Sequence, residues 1–164
     1  MFEHLAEHRA ILVTGPQRSG TRICAKMIAH DTGHAYIDEL NLNIDSLYRM
    51  QDAFSLTNVV IQCPAMCRFI HNFAGEEVLV VMMVRDIAGI IASQKRIDWD
   101  AETIEMVRYQ VFDRPIAQTK YEFWETQKTG IQNYLEMEYE SLASHPLWVP
   151  KEERINFTSS QTNA

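Results

Sequence analysis

The segment 11–22 has the residue types of a turn that binds a phosphate-like anion. An apolar run leads into Gly15, and four residues separate Gly15 from Gly20. Glycine has no side chain and tolerates positive φ, so the backbone can approach an anion closely at both positions. Arg18 lies between them and offers a guanidinium group that can contact an oxyanion through two hydrogen bonds. The candidate anion-binding residues are therefore Gly15, Pro16, Gln17, Arg18, Ser19, Gly20, Thr21 and Arg22.

This turn differs from the loop of nucleoside triphosphatases at the two positions that serve ATP and magnesium. That loop reads G-x-x-x-x-G-K-[ST]; its lysine reaches the β- and γ-phosphates and its hydroxyl binds Mg²⁺. Here Thr21 occupies the lysine position and Arg22 the hydroxyl position. The sequence therefore argues against an ATPase or GTPase, while an ordinary strand-to-helix turn stays open as the alternative interpretation.

A second segment, 78–96, supports a ligand site. Its apolar run predicts a buried strand that ends at Arg85, and Asp86 can cap the helix that follows. Ligands of open α/β sheets bind beyond the carboxyl ends of the strands, where Arg85 is expected to lie. Ser93 belongs to the following helix and can face the same crevice.

The stretches TGPQRSGT and VRDIAGIIASQ together resemble the sulfotransferase family. Members of that family bind 3′-phosphoadenosine 5′-phosphosulfate (PAPS) through a 5′-phosphosulfate loop and hold its 3′-phosphate with an R-x7-S element. Gly15 and residues 18–21 match the loop, and Arg85 with Ser93 matches the second element. The segment 135–146 is a weaker match, so the resemblance covers nearly the whole chain. It implies a short PAPS-dependent sulfotransferase with a P-loop-like fold and five strands in the order 2-3-1-4-5.

The base that would deprotonate an acceptor hydroxyl is not where the family resemblance would place it. The family often has a histidine or lysine after the third strand, whereas this chain reads Gln-Cys-Pro at 62–64. Glu39 follows the second predicted strand and is the candidate base, as is a glutamate in the tyrosylprotein branch of the family. A capping or surface role is the alternative for Glu39, and Asp38 is the neighbouring candidate. Arg18 is the second candidate catalytic residue, since its charge can neutralise the bridging oxygen.

Apolar runs alternate with helical patterns along the rest of the chain. Strands are predicted at 11–14, 34–38, 58–62, 78–84 and 132–138. Helices are predicted at about 19–30, 44–54, after Pro64, at 87–96 and over 101–128. Pro115 breaks the last of these patterns, and Asp113 is the predicted cap of the helix that restarts there. Such alternation predicts a mostly parallel sheet with helices on both faces, a three-layer α/β/α fold. The aromatic side chains of Tyr121, Phe123, Trp124 and Tyr134 are expected to pack in the core.

Composition limits the class of protein. With 164 residues, 46% of them hydrophobic, the chain is expected to form one domain over 1–150 and a polar tail over 151–164. Arg154 in that tail is a further candidate for the nucleotide site. The net charge of −7 argues against nucleic-acid binding, and the lack of a long apolar run predicts a soluble, cytoplasmic protein without a membrane partner. Three cysteines predict buried thiols rather than disulfides or a metal site.

The leading hypothesis is a PAPS-dependent transferase that moves a sulfuryl group to a hydroxyl or amine of a small-molecule acceptor, without a metal ion. Two alternatives stay open. One is a non-catalytic nucleotide-binding protein, and the other is a small nucleotide or nucleoside kinase that uses ATP and Mg²⁺. The sequence names neither the acceptor nor the oligomeric state.

Overall fold

Five short, mostly apolar segments form one parallel sheet. A computed structural model describes residues 1–42, 47–72, 75 and 77–154. The strands are β1 (Ala10–Thr14), β2 (Ala35–Asp38), β3 (Val59–Gln62), β4 (Val78–Val84) and β5 (Tyr134–Glu138). Their order is β2-β3-β1-β4-β5, and every neighbouring pair is parallel. The predicted α/β class and the strand order 2-3-1-4-5 are confirmed.

Helices connect the strands. They are α1 (Thr21–Thr32), α2 (Glu39–Leu42), α3 (Leu47–Phe54), α4 (Ile87–Arg96), α5 (Ala101–Tyr109) and α6 (Ile116–Gln127). Short 3₁₀ segments lie at Glu3–Glu7, Pro64–Arg68, Ile70–Asn72, Lys128–Gly130, Tyr139–Ser144 and Lys151–Glu153. No helix in the described part of the chain is long and apolar enough to cross a membrane.

The sheet separates two apolar cores, and β1 contributes to both. Leu12 belongs to the core that contains Met50 of α3 and Trp124 of α6. Its neighbour Ile11 belongs to the other core, which contains Met27 of α1. Because successive side chains of a strand point to opposite faces, helices cover both sides of the sheet and form three layers.

The structure corrects two of the predicted helices, and a third is described only in part. Helix α1 begins at Thr21 rather than at residue 19, because Gly20 has a left-handed backbone and is the N-cap. The segment after Pro64 is a short 3₁₀ helix that ends at Arg68, rather than an α-helix, and it buries Pro64, Met66 and Cys67. Part of the predicted helix 44–54 lies outside the described residues, and α3 covers the rest.

Of the four aromatic side chains that were expected in the core, only Trp124 is fully buried. Trp124 is buried as expected, whereas Tyr134 is 41% exposed. Tyr134 lies on β5, which is the edge strand, so one face of that residue has no neighbouring strand or helix to cover it fully. Tyr121 and Phe123 are half-buried and pack from α6.

The break between α5 and α6 is where it was predicted, but its cap is a different residue. Helix α6 follows Pro115, and the first backbone N–H, that of Ile116, donates to Glu102 Oε1 of α5 over 2.9 Å. Asp113, the predicted cap, instead accepts from Arg114 Nη1 at 3.1 Å near solvent. A carboxylate from the preceding helix therefore fixes the start of α6.

Candidate functional site

The carboxyl ends of the parallel strands bring the predicted site residues to one edge of the sheet. The turn 15–20, which we call the anion loop, follows β1; Glu39 follows β2 and Cys63 follows β3. Arg85 follows β4 and Tyr139 follows β5. In open α/β sheets this is the edge at which ligands bind.

Three residues of the anion loop have a positive φ, which glycine adopts easily and other residues adopt rarely. Gly15, Arg18 and Gly20 have φ values of 144°, 72° and 102°. A Cβ atom on Gly15 would lie 2.9 Å from Ser19 Oγ, and one on Gly20 would lie 2.5 Å from Tyr139 Cδ2. Close packing as well as conformation therefore requires glycine at both positions, whereas Arg18 has an uncommon backbone for a residue with a side chain.

Backbone N–H groups of α1 point at the anion loop. The first bond inside the helix is donated by the Cys24 N–H to Gly20 O over 3.0 Å, so the amides before it have no partner within the helix. The hydroxyl of Ser19 is fully buried and has no hydrogen-bond partner among the described residues. Free amides beside an unpaired buried hydroxyl are the groups expected of an anion site.

The second predicted element meets the anion loop directly. Arg18 Nε donates to Ser93 Oγ over 3.1 Å, and Arg96 Nη2 donates to the same oxygen over 3.3 Å. Arg85 Nη1 donates to the backbone carbonyl of Arg18 over 2.8 Å. The two segments singled out in the sequence thus form one cluster, although Arg18 and Ser93 are 75 residues apart.

Contacts from neighbouring elements hold Arg85 and Ser93 in place. The backbone N–H of Arg85 donates to Tyr121 Oη of α6 over 3.0 Å. Asp86 caps α4, as predicted, by accepting from the Gly89 N–H over 2.9 Å. Since Ser93 lies on α4, this cap helps to orient the helix face that reaches the anion loop.

Positive charge accumulates around the anion loop. Burial, together with the nearby guanidinium groups of Arg96, Arg85 and Arg22, lowers the pKa of Arg18 from its ordinary value. Arg22 pairs with Asp38, but in the described part of the chain no carboxylate forms an ion pair with Arg18, Arg85 or Arg96. Such a cluster favours a ligand that carries several negative charges.

Asp38, the neighbouring candidate base, is held by structural contacts. Its Oδ2 accepts from Tyr36 Oη at 2.8 Å and from Arg22 Nε at 3.2 Å. Its Oδ1 accepts from the backbone N–H of Leu40 at 3.0 Å. Both carboxylate oxygens therefore have partners, which makes Asp38 the less suitable proton acceptor.

Glu39 has the more suitable environment for proton transfer. Burial raises the pKa of Glu39, and this outweighs the opposing hydrogen bonds from the Cys63 thiol and the Ala65 backbone N–H. The thiol lies 3.4 Å from Glu39 Oε2, and burial also raises the pKa of Cys63 far above its ordinary value. A half-buried carboxylate with a raised pKa, at the ligand edge of the sheet, is typical of a general base.

Gln62 and Thr21 form a neutral pair beside the anion loop. Gln62 Nε2 donates to Thr21 Oγ1 over 3.0 Å, and Gln62 Oε1 is buried without a hydrogen-bond partner among the described residues. Thr21 is the residue that stands where nucleoside triphosphatases have their lysine. This chain therefore has a hydroxyl at the lysine position, and the neutral amide of Gln62 is hydrogen-bonded to it.

Two charged residues that the sequence analysis missed bind the side chain of Gln17. Lys120 Nζ donates to Gln17 Oε1, and Gln17 Nε2 donates to Glu105 Oε1 over 3.2 Å. The predicted ligand Gln17 therefore uses its side chain within the protein. The sequence did contain a signal that Lys120 is buried, because Lys120 lies midway between Ile116 and Trp124 on the apolar face of α6.

Arg154 reaches the same edge through two aromatic residues. Its Nη1 donates to Tyr139 Oη over 2.7 Å, and its guanidinium group lies 4.7 Å from the Trp148 ring centroid. Arg85 lies 4.0 Å from the centroid of the Tyr139 ring on the other side of this cluster. The structure thus brings Arg154 near the predicted site, while residues 155–164 of the tail lie outside the described part of the chain.

The comparisons with known proteins establish the fold. No family model matches the chain, and no curated protein matches its sequence. Among solved structures, it is similar to shikimate kinase from Acinetobacter baumannii in complex with shikimate, with a TM-score of 0.57 and 10% identity, over 87% of this chain and 93% of that chain. A sugar kinase from Janibacter sp. gives a TM-score of 0.43 at 10% identity, over 81% and 86% of the two chains. The first of these likenesses shows that the chain shares the P-loop-like α/β fold of that shikimate kinase.

Proposed function

We propose that the protein binds PAPS at the anion loop and transfers its sulfuryl group to a hydroxyl or amine of a small acceptor. The contact between Arg18 and Ser93 carries the proposal, because it joins the two segments whose residue types fit the two charged ends of that nucleotide. The unpaired Ser19 hydroxyl and the arginine cluster support a ligand with several negative charges.

Each group of the site has a distinct proposed role. The anion loop, with Arg18, would hold the 5′-phosphosulfate, and Arg85 with Ser93 would hold the 3′-phosphate. When bound, the nucleotide would supply an activated sulfuryl group. Arg18 and the loop amides would stabilise the charge that develops on the bridging oxygen, as in phosphoryl transfer. Glu39 would accept the proton of the acceptor hydroxyl, and Arg154 is proposed to close the nucleotide pocket.

A small kinase that uses ATP and Mg²⁺ is the second candidate. The likeness to shikimate kinase, taken by itself, favours a kinase over a sulfotransferase. The local chemistry favours the first proposal, because Thr21 and Arg22 replace the lysine and hydroxyl that serve ATP and magnesium. Gln62 likewise offers a neutral amide at the end of β3.

Calorimetric titration distinguishes the two candidates. The protein is expected to bind adenosine 3′,5′-bisphosphate more tightly than ATP with Mg²⁺. Arg85→Ala and Ser93→Ala are each expected to lower the affinity for the bisphosphate by about tenfold or more, the effect of losing a hydrogen bond to a charged group. Arg9→Gln is the matched control, since it removes one charge before β1, at the opposite edge of the sheet.

Two results would reject the sulfotransferase proposal. A clear preference for ATP with Mg²⁺ would support the kinase instead. Tight binding of the bisphosphate without turnover of PAPS, across a panel of hydroxyl and amine acceptors, would support a non-catalytic nucleotide-binding protein.

A further inference from the structure

Lys120 and Glu105 form a buried ion pair next to the anion loop. Their side chains are 1% and 6% exposed, and Lys120 Nζ lies 2.8 Å from Glu105 Oε2. Removing two charges from water is unfavourable by several kcal/mol for each ion, so such a pair gives little net stability compared with apolar residues. Its position in the molecule therefore calls for an explanation other than stability.

Both members of the pair bind the same residue of the anion loop. Lys120 donates to the side-chain oxygen of Gln17, and Glu105 accepts from its side-chain nitrogen. Gln94 Nε2 of α4 donates to the backbone carbonyl of Gln17 over 3.4 Å. Contacts from α4, α5 and α6 thus converge on one residue of the loop.

Gln17 directly precedes Arg18, whose backbone is left-handed. Residues in such conformations persist only where their surroundings over-determine them. Arg85 restrains the loop after this point through the carbonyl of Arg18. On the other side of Arg18, the contacts of Gln17 restrain the loop.

We infer that Lys120 and Glu105 are positioning residues, which clamp the side chain of Gln17 and thereby hold the anion loop in its ligand-binding shape. The inference rests on the proposed function only in assuming that this loop binds an anion. The pair acts through Gln17 and does not itself need to touch the ligand. It also ties the α5–α6 pair of helices to the loop.

Hydrogen exchange of the loop amides, measured without nucleotide, tests the inference. In Glu105→Met/Lys120→Met, two apolar side chains of similar length replace the pair and should preserve the fold. The amide of Ser19, which donates to Pro16 O over 3.0 Å inside the loop, is expected to exchange about tenfold faster or more, the factor that corresponds to a lost hydrogen bond to a charged group. Arg114→Met/Glu122→Met is the matched control, because it replaces an exposed ion pair at the same helix that does not contact Gln17 and should leave the loop amides unchanged.

A second variant keeps the test decisive if the double variant does not fold. Gln17→Met leaves the ion pair intact, removes only the clamped side chain and should produce the same acceleration. Adding Gln17→Met to Glu105→Met/Lys120→Met should give no further increase, because the ion pair acts through Gln17. Loop exchange equal to the wild-type rate in these variants overturns the inference. Faster exchange in a protein that binds no bisphosphate would reject the proposed function and retain the clamp.

Discussion

At the residue scale, Arg18 combines a charged side chain with a left-handed backbone. That conformation is unfavourable by about 1–2 kcal/mol for a residue other than glycine. Ser93 accepts from its side chain and Arg85 donates to its carbonyl, so both ends of the residue are restrained. The glycines alone fit many turns, whereas a restrained arginine between them gives this loop a positive charge that is fixed in place.

Gly20 is the residue of the anion loop at which a methyl group should be most harmful. Its φ is 102°, and an added Cβ would lie 2.5 Å from Tyr139 Cδ2. Gly20→Ala is expected to lower the free energy of unfolding by about 2–4 kcal/mol, from backbone strain and overpacking together. Gly33→Ala is the control, with φ 74° and nothing within 4 Å, and should lose about 1 kcal/mol. If urea unfolding showed the same loss of stability for Gly20→Ala and Gly33→Ala, the proposed clash between a Gly20 methyl group and Tyr139 would be wrong.

Under the proposed function, Glu39 should set the acid side of the pH profile of sulfuryl transfer. The base acts when ionised, so the rate is expected to rise with pH as Glu39 loses its proton. Because burial raises this pKa, the rise should be centred above the ordinary value of about 4.3. Glu39→Gln should lower the rate by about 10²–10⁴-fold and abolish this rise. Glu138→Gln, an exposed carboxylate at the same edge, should retain both, and an unchanged rate in Glu39→Gln would exclude it as the base.

The sequence allowed the prediction of some site residues and not of others, for a physical reason. Arg18, Ser93 and Arg85 stand at positions set by local signals, namely a glycine turn and the end of an apolar strand. Lys120 and Glu105 have no such signal at the loop, because their contacts with Gln17 span 103 and 88 residues. Only the packing of α5 and α6 against the loop brings them there.

At the element scale, two aspartates with similar sequence contexts have different roles. Asp86 accepts from the Gly89 N–H at the start of α4, whereas Asp113 accepts from Arg114 near solvent. Asp86→Ala is expected to lower the free energy of unfolding by about 1 kcal/mol, the usual effect of losing a helix cap. Asp113→Ala should change it by less than about 0.5 kcal/mol, as for an exposed ion pair. Urea denaturation curves compare the two, and a larger loss for Asp113→Ala would contradict this assignment.

The elements themselves were predictable wherever the pattern is local. The five strands fall within two residues of the predicted ends. Strands β1, β3 and β4 are buried, largely apolar runs, whereas β5 alternates exposed and half-buried residues. The cap of α6 was not predictable, since Glu102 reaches it from the preceding helix. The prediction of an α-helix after Pro64 was wrong, because a proline fits the first turn of a 3₁₀ helix as well as that of an α-helix, and the segment ends at Arg68.

At the scale of the whole molecule, the strand order places β1 between β3 and β4. The anion loop is therefore central at the ligand edge, and groups after β2, β3 and β4 surround it. The same architecture occurs in a shikimate kinase of only 10% identity. Patterns of apolar residues are enough to specify such a fold, while the chemistry depends on the few residues of the loops.

Asp31 of α1 links Phe2, near the start of the described chain, to His145, near its end. Its carboxylate accepts from the Phe2 backbone N–H over 2.8 Å and from His145 Nε2 over 3.1 Å. His145 Nδ1 accepts from the Leu147 N–H over 3.0 Å, so its proton is on the nitrogen that faces Asp31. His30, Asp31 and His145 have the residue types of a metal site, but this proton leaves His145 without a free lone pair there. The arrangement is that of a structural clamp.

Asp31→Asn should destabilise the protein in a way that depends on pH. Burial alone would raise the pKa of Asp31, but hydrogen bonds from His30, the Phe2 amide and His145 outweigh it and lower the pKa. A carboxylate with a lowered pKa in the folded state stabilises the protein above its unfolded pKa of about 3.9, and this contribution is lost as the pH falls below that value. Asp31→Asn should therefore lower the free energy of unfolding by about 1–3 kcal/mol at pH 7 and by less at pH 3. Urea unfolding followed by tryptophan fluorescence measures both values, with the exposed Asp52→Asn as control. If Asp31→Asn lowered the free energy of unfolding equally at pH 7 and pH 3, the negative charge of Asp31 would not be the source of the stabilisation.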